Sequence, residues 1–66
     1  METKHIRYNQ IGKVVLVATK HENNHLGVIN ERGFNQYDKA TPTAEQLDEI
    51  KELIKELGIK NNSIHN

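Results

Sequence analysis

The sequence predicts an α+β domain in which a three- or four-stranded antiparallel β-meander is followed by one C-terminal amphipathic helix packed on the sheet. Two observations support this. Short β-branched runs separated by turn-forming residues precede position 39, whereas apolar residues at helical spacing follow position 42. A chain of 66 residues is also long enough for one domain. We assign residues 1–59 to this domain and expect the polar segment 60–66 to be a frayed tail.

The apolar run at residues 13–19 is rich in valine and predicts a strand. It is apolar on both faces, as is typical of a strand at the centre of a sheet. Val14 and Leu16 fall on one face, and Val15 and Val17 on the other. Because a solvated face rarely carries both of these valines, we expect the face of the sheet away from the helix to be buried as well.

The neighbouring strands are predicted from turns. Residues 26–30 and 34–37 are β-like and are joined by Asn30-Glu31-Arg32-Gly33, which predicts a type I turn closed by a glycine with positive φ. Residues 5–8 alternate between apolar and polar side chains and predict a further strand. Gly12 then marks a bulge or a turn.

Local signals bound the helix at both ends. Thr43 is the predicted N-cap, with Gln46 completing a capping box, although Pro42 at a first helical position is a rival start. Gly58 suits the left-handed position after the helix, so that Ile59 folds back as in a Schellman motif. The helix carries one apolar stripe, made by Leu47, Ile50, Leu53, Ile54 and Leu57. We expect this stripe to cover the sheet, although its spacing also suits a helix pair in a dimer.

The polar side of the helix is predicted to be the partner-binding surface. Four glutamates at spacings of four, three and four form an acidic ridge, which consists of Glu45, Glu49, Glu52 and Glu56. Residues 43–57 hold five acids and two lysines, a net charge of −3, whereas residues 1–42 hold six bases and four acids, a net of +2. A ridge of this kind suits docking on a basic surface of another protein. The alternative is an ordinary solvated helix face.

One segment resembles a metal motif. His21-Glu22-Asn23-Asn24-His25 matches H-E-x-x-H letter for letter and therefore resembles the motif of the zincin metallopeptidases. The resemblance implies zinc bound by His21 and His25, with Glu22 activating a water molecule. That chemistry needs a helix, whereas two consecutive asparagines favour a turn. We therefore expect a solvated loop, with metal binding by the two histidines across a hairpin as the alternative.

A second alternative is binding of single-stranded nucleic acid. Aromatic and basic side chains on a sheet can stack on bases and neutralise phosphates. The candidates in the sheet segment are Arg7, Tyr8, Lys13, Arg32 and Tyr37. The formal net charge of zero weighs against this reading.

Composition restricts the remaining classes. There is no cysteine, so disulfides and thiolate metal sites are excluded. The longest apolar run, residues 14–18, is too short to span a membrane. No phosphate loop or nucleophile elbow is found. We therefore predict a cytoplasmic, cofactor-free and non-enzymatic protein that binds another protein as a regulator, inhibitor or accessory subunit, of a kind that phages and mobile elements carry. A homodimer through the helix or a sheet edge is compatible with this reading.

Overall fold

The structure, a computed structural model, describes residues 1–59 and 64–65 and confirms the α+β fold. The elements in chain order are β1 (Ile6–Ile11), β2 (Val14–Thr19), β3 (His25–Asn30), β4 (Gly33–Gln36), α1 (Ala44–Glu56) and β5 (Ile64–His65). Strands β1 to β4 form an antiparallel meander, and β5 pairs in parallel with β4. The predicted frayed tail lies outside the described residues, except for the two residues of β5.

Tight turns set the lengths of the strands. Gly12, at φ 60°, allows a two-residue connection in which Ile11 pairs with Val14, so β1 runs three residues beyond the predicted strand. Gly33, at φ 106°, confirms the predicted positive-φ glycine after the second turn. The side chain of Asn30 closes that turn by accepting a hydrogen bond from the backbone N–H of Arg32 at 2.8 Å.

Both predicted helix caps are present. The Thr43 hydroxyl accepts from the Gln46 N–H at 3.1 Å, while the Gln46 side chain accepts from the Thr43 N–H at 2.8 Å. The rival start at Pro42 is therefore not used. At the other end Gly58 has φ 74°, and the N–H of Ile59 reaches the Ile54 carbonyl at 3.3 Å, which completes the Schellman motif.

Helix α1 packs on one face of the sheet, which we call the covered face. The buried side chains of the covered face come from all four antiparallel strands and pack against Ile50, Leu53 and Ile54 of the helix. The strand residues are Ile6, Val15, Val17, Leu26, Ile29 and Phe34. The expectation that Val15 and Val17 lie away from the helix is wrong, because they are 3% and 0% exposed beneath it. A strand that is apolar on both faces does not reveal which face the helix covers.

Gly27 lets the covered face close tightly. A Cβ at this position would stand 2.8 Å from two ring carbons of Phe34 and nearer still to the Asn35 carbonyl oxygen. Such a contact is shorter than real Cβ atoms make, so the Phe34 ring occupies the space that a side chain at Gly27 would need.

In the part of the chain that the structure describes, no helix is long and apolar enough to cross a membrane.

Candidate functional site

The acidic ridge does not present four equivalent carboxylates. Glu49 turns towards the start of β1, where its two oxygens accept hydrogen bonds from three consecutive backbone N–H groups. The donors are Lys4 at 2.7 Å, His5 at 2.8 Å and Ile6 at 3.1 Å. Burial of Glu49 opposes ionisation, but these three hydrogen bonds outweigh it and lower the pKa of Glu49. Glu49 therefore joins the helix to the first strand.

The other ridge residues are exposed. Glu45 lies in the first turn of α1, where its own backbone N–H and the Thr43 hydroxyl lower its pKa. Glu56 lies 3.7 Å from the ammonium group of Met1. Three exposed carboxylates, of which Glu56 pairs with Met1, thus lie on the helix with Asp48 beside them, and their role in binding a partner stays a prediction.

The residues proposed for nucleic-acid binding are not brought together. Arg7 lies on the face of the sheet away from the helix, whereas Tyr8 packs against the core on the covered face. Lys13 and Arg32 lie in the two hairpin turns at one end of the sheet. Tyr37 follows β4 at the other end, where its N–H donates to the Leu26 carbonyl oxygen. No common surface therefore presents the bases and aromatics together.

The segment that matches the zincin motif is a loop. Residues 21 and 22 form a turn, Asn23 has φ 60°, and His25 already belongs to β3. Because the segment is not helical, the two histidines do not stand one helical turn apart as the metallopeptidase motif requires. Within residues 1–59 and 64–65, no group of three or more histidine, cysteine or acidic side chains could hold a metal ion.

A second apolar surface lies on the uncovered side of the sheet, where the sequence predicted apolar residues but assigned Val15 and Val17 in place of Val14 and Leu16. We call it the open face, and the strand pairing assigns to it Arg7, Asn9, Ile11, Val14, Leu16, Ala18, His25, Val28 and Asn35. One cross-strand row runs Asn9, Leu16, Val28 and Asn35, so two apolar side chains lie side by side at its centre. Ile11 is 53% exposed next to Val14. The signal that predicts this face is the alternation of Val14, Leu16 and Ala18 in β2.

The open face is nearly free of charge. Strands β1 to β4 contain a single residue of the types Lys, Arg, Asp and Glu, which is Arg7. It borders a cleft of about 380 Å³ that is also lined by Asn9, Ala18, Asn23 and His25. An arginine beside side chains that can form hydrogen bonds is suited to receive a carboxylate. The geometry therefore combines an apolar centre with one cationic corner.

Comparison with protein-family models, with curated proteins and with solved structures finds no match for this chain.

Proposed function

We propose that this protein is a non-enzymatic, cytoplasmic protein-binding module, and that its partner docks on the open face of the sheet. The observation that carries the proposal is the row of Leu16 and Val28 beside Ile11 and Val14, which no described element covers. Antiparallel sheets commonly place polar residues on their solvated side. Contiguous apolar side chains at such a place are typical of an interaction surface.

Charge complementarity indicates the chemistry of the partner. The open face has no carboxylate and has one arginine at its corner. The occupant that fits is a protein segment with apolar side chains next to an aspartate or glutamate, because burial of the apolar centre supplies affinity and Arg7 fixes the orientation. A basic segment would find no anionic group on this face.

The acidic ridge is the rival surface on the same molecule. Its three exposed carboxylates lie in water, where isolated ion pairs contribute little to affinity. It also lacks apolar side chains, because those of α1 point into the core. The ridge therefore suits steering of a basic partner, whereas the open face combines apolar burial with a directed charge.

A random peptide library displayed on phage tests this proposal. We expect enriched peptides that combine apolar and acidic residues. Their affinity should fall by about tenfold or more in the separate variants Leu16→Glu and Arg7→Glu, because each adds a carboxylate to the open face. The matched control is the double variant Glu52→Lys/Glu56→Lys, which alters only the ridge and should bind the same peptides unchanged. Melting temperatures check that all variants fold.

Three outcomes contradict the proposal. Absence of any enriched peptide removes the open face as a binding surface. Basic peptides that are lost only in the ridge variant assign binding to the acidic ridge. A salt-sensitive shift of a labelled single-stranded oligonucleotide, retained in both open-face variants and lost on substitution of Lys13 and Tyr37, favours nucleic-acid binding instead.

A further inference from the structure

We infer that β1 is a dimerisation edge, and that two copies of the chain pair antiparallel through Tyr8 and Gln10 about a two-fold axis at Asn9. This edge is a different surface from the open face and does not depend on the proposed partner. Strand β1 is the first in the sheet order, so its outer side has no neighbouring strand among the described residues.

The hydrogen bonds identify which groups of β1 point outward. The N–H of Lys20 donates to the His5 carbonyl oxygen at 3.3 Å, so this carbonyl faces β2, whereas the His5 N–H donates to Glu49. Orientation alternates along a strand, so Arg7, Asn9 and Ile11 also face β2, and Ile6, Tyr8 and Gln10 face outward. Ile6 agrees with this, because its N–H donates outward to Glu49 at 3.1 Å.

One of the three outward-facing residues on this edge already has its hydrogen bonds satisfied. At Ile6, Glu49 accepts the N–H and the Thr3 hydroxyl donates to the carbonyl oxygen. At Tyr8 and Gln10, the outward N–H and C=O groups have no hydrogen-bond partner within residues 1–59 and 64–65. The chain therefore offers a short template of two donors and two acceptors, bounded by the Ile6 cap on one side and by the turn at Gly12 on the other.

These boundaries select one self-pairing register. If Tyr8 of each copy lies opposite Gln10 of the other, all the free groups are used and four backbone hydrogen bonds form. A register centred on Tyr8 itself needs the occupied groups of Ile6, and one centred on Gln10 runs into the turn. In the selected register Arg7 lies opposite Ile11 of the second copy, so the two arginines do not face each other.

Most of the usual protections of an edge strand are absent from β1, in which Arg7 is the one charged residue. It contains no proline and no lysine, and its pairing with β2 is continuous without a bulge. A domain of this length gains stability from oligomerisation, because it buries only about 60% of its unfolded surface alone. The contact is short, so the dimer is expected to be concentration-dependent.

Sedimentation equilibrium of Gln10→Pro against Gln10→Thr tests the inference. Proline removes the outward N–H and obstructs a second strand, yet it breaks no internal bond because that N–H faces away from β2. Wild type and Gln10→Thr should shift from monomer to dimer between about 10 µM and about 1 mM, the affinity range of small interfaces, and Gln10→Pro should stay monomeric. A monomeric wild type across this range, or a Gln10→Pro dimer as stable as wild type, overturns the inference.

Single cysteines test the register in the full chain, which has no cysteine of its own. Asn9→Cys places two thiols directly opposite each other in a non-hydrogen-bonded pair, close enough for a disulfide. Arg7→Cys is the matched control, since four residues of offset separate its two copies by about 13 Å. Rapid oxidation of Asn9→Cys alone supports the register. Equal cross-linking of both variants, or of neither, contradicts it whether or not the proline variant folds.

Discussion

The two faces of the sheet carry similar apolar residues but differ in how deeply those residues are buried. The covered face packs its valines, isoleucines and phenylalanine against α1 until they are nearly inaccessible. The open face carries valine, leucine and isoleucine of the same kind, but leaves them half-buried or exposed. Composition alone therefore does not distinguish the core from the open face in this chain. The position of the helix does.

Two neighbouring residues in β3 should give the largest difference in stability between the two faces. Ile29 is fully buried on the covered face, while Val28 lies half-buried on the open face. Ile29→Ala should lower the free energy of unfolding by about 2–5 kcal/mol, because it leaves a cavity between sheet and helix. Val28→Ala should cost less than about 1 kcal/mol, since water already reaches that side chain. Urea denaturation of both variants measures the difference.

Equal losses of unfolding free energy in the two variants would contradict the difference in burial between the two faces. Such a result would mean that the open face is covered in solution, for example by a second copy, and the losses would then depend on protein concentration. The same titrations at two protein concentrations test whether a second copy provides that cover.

Gly27 gives the next largest expected effect. Gly27→Ala should cost about 1–3 kcal/mol, because the new methyl group would meet the backbone carbonyl oxygen of Asn35 and the Phe34 ring and force β4 to shift. Gly12→Ala is the control: its Cβ meets nothing within 4 Å, and the variant reports only the strain of a positive φ. A smaller loss at Gly27 than at Gly12 would show that β4 adjusts readily at Phe34 and Asn35.

Local chemistry explains which features were predictable from the sequence. The capping box at Thr43, the left-handed Gly58 and the positive φ of Gly33 each depend on a few adjacent residues, and all three are confirmed. The orientation of β2 depends on which of two apolar faces meets α1, and no local signal contains that choice. The role of Glu49 depends on backbone groups more than forty positions away, so its spacing in the helix identified only a charged ridge.

The smallest expected effect concerns the attachment of α1 to the edge of the sheet. Glu49→Gln should lower the free energy of unfolding by about 1–2 kcal/mol at neutral pH, because an amide accepts the three N–H groups less well than a carboxylate. Glu52→Gln, on the exposed side of the same helix, should change it by less than about 0.5 kcal/mol. Urea titrations of both variants provide the measurement.

The pH dependence identifies the carboxylate as the cause. The pKa of Glu49 is lower in the folded state than in the unfolded state, so its contribution is complete above the unfolded value and is lost as pH falls through the folded one. The gap between wild type and Glu49→Gln should therefore be constant near neutrality and close below about pH 4. A gap that persists in acid would mean that the shape of the side chain, rather than its charge, holds the helix to β1. In that case Glu49 would hold the helix to β1 by packing, as the apolar residues of the covered face do, and its negative charge would not contribute to stability.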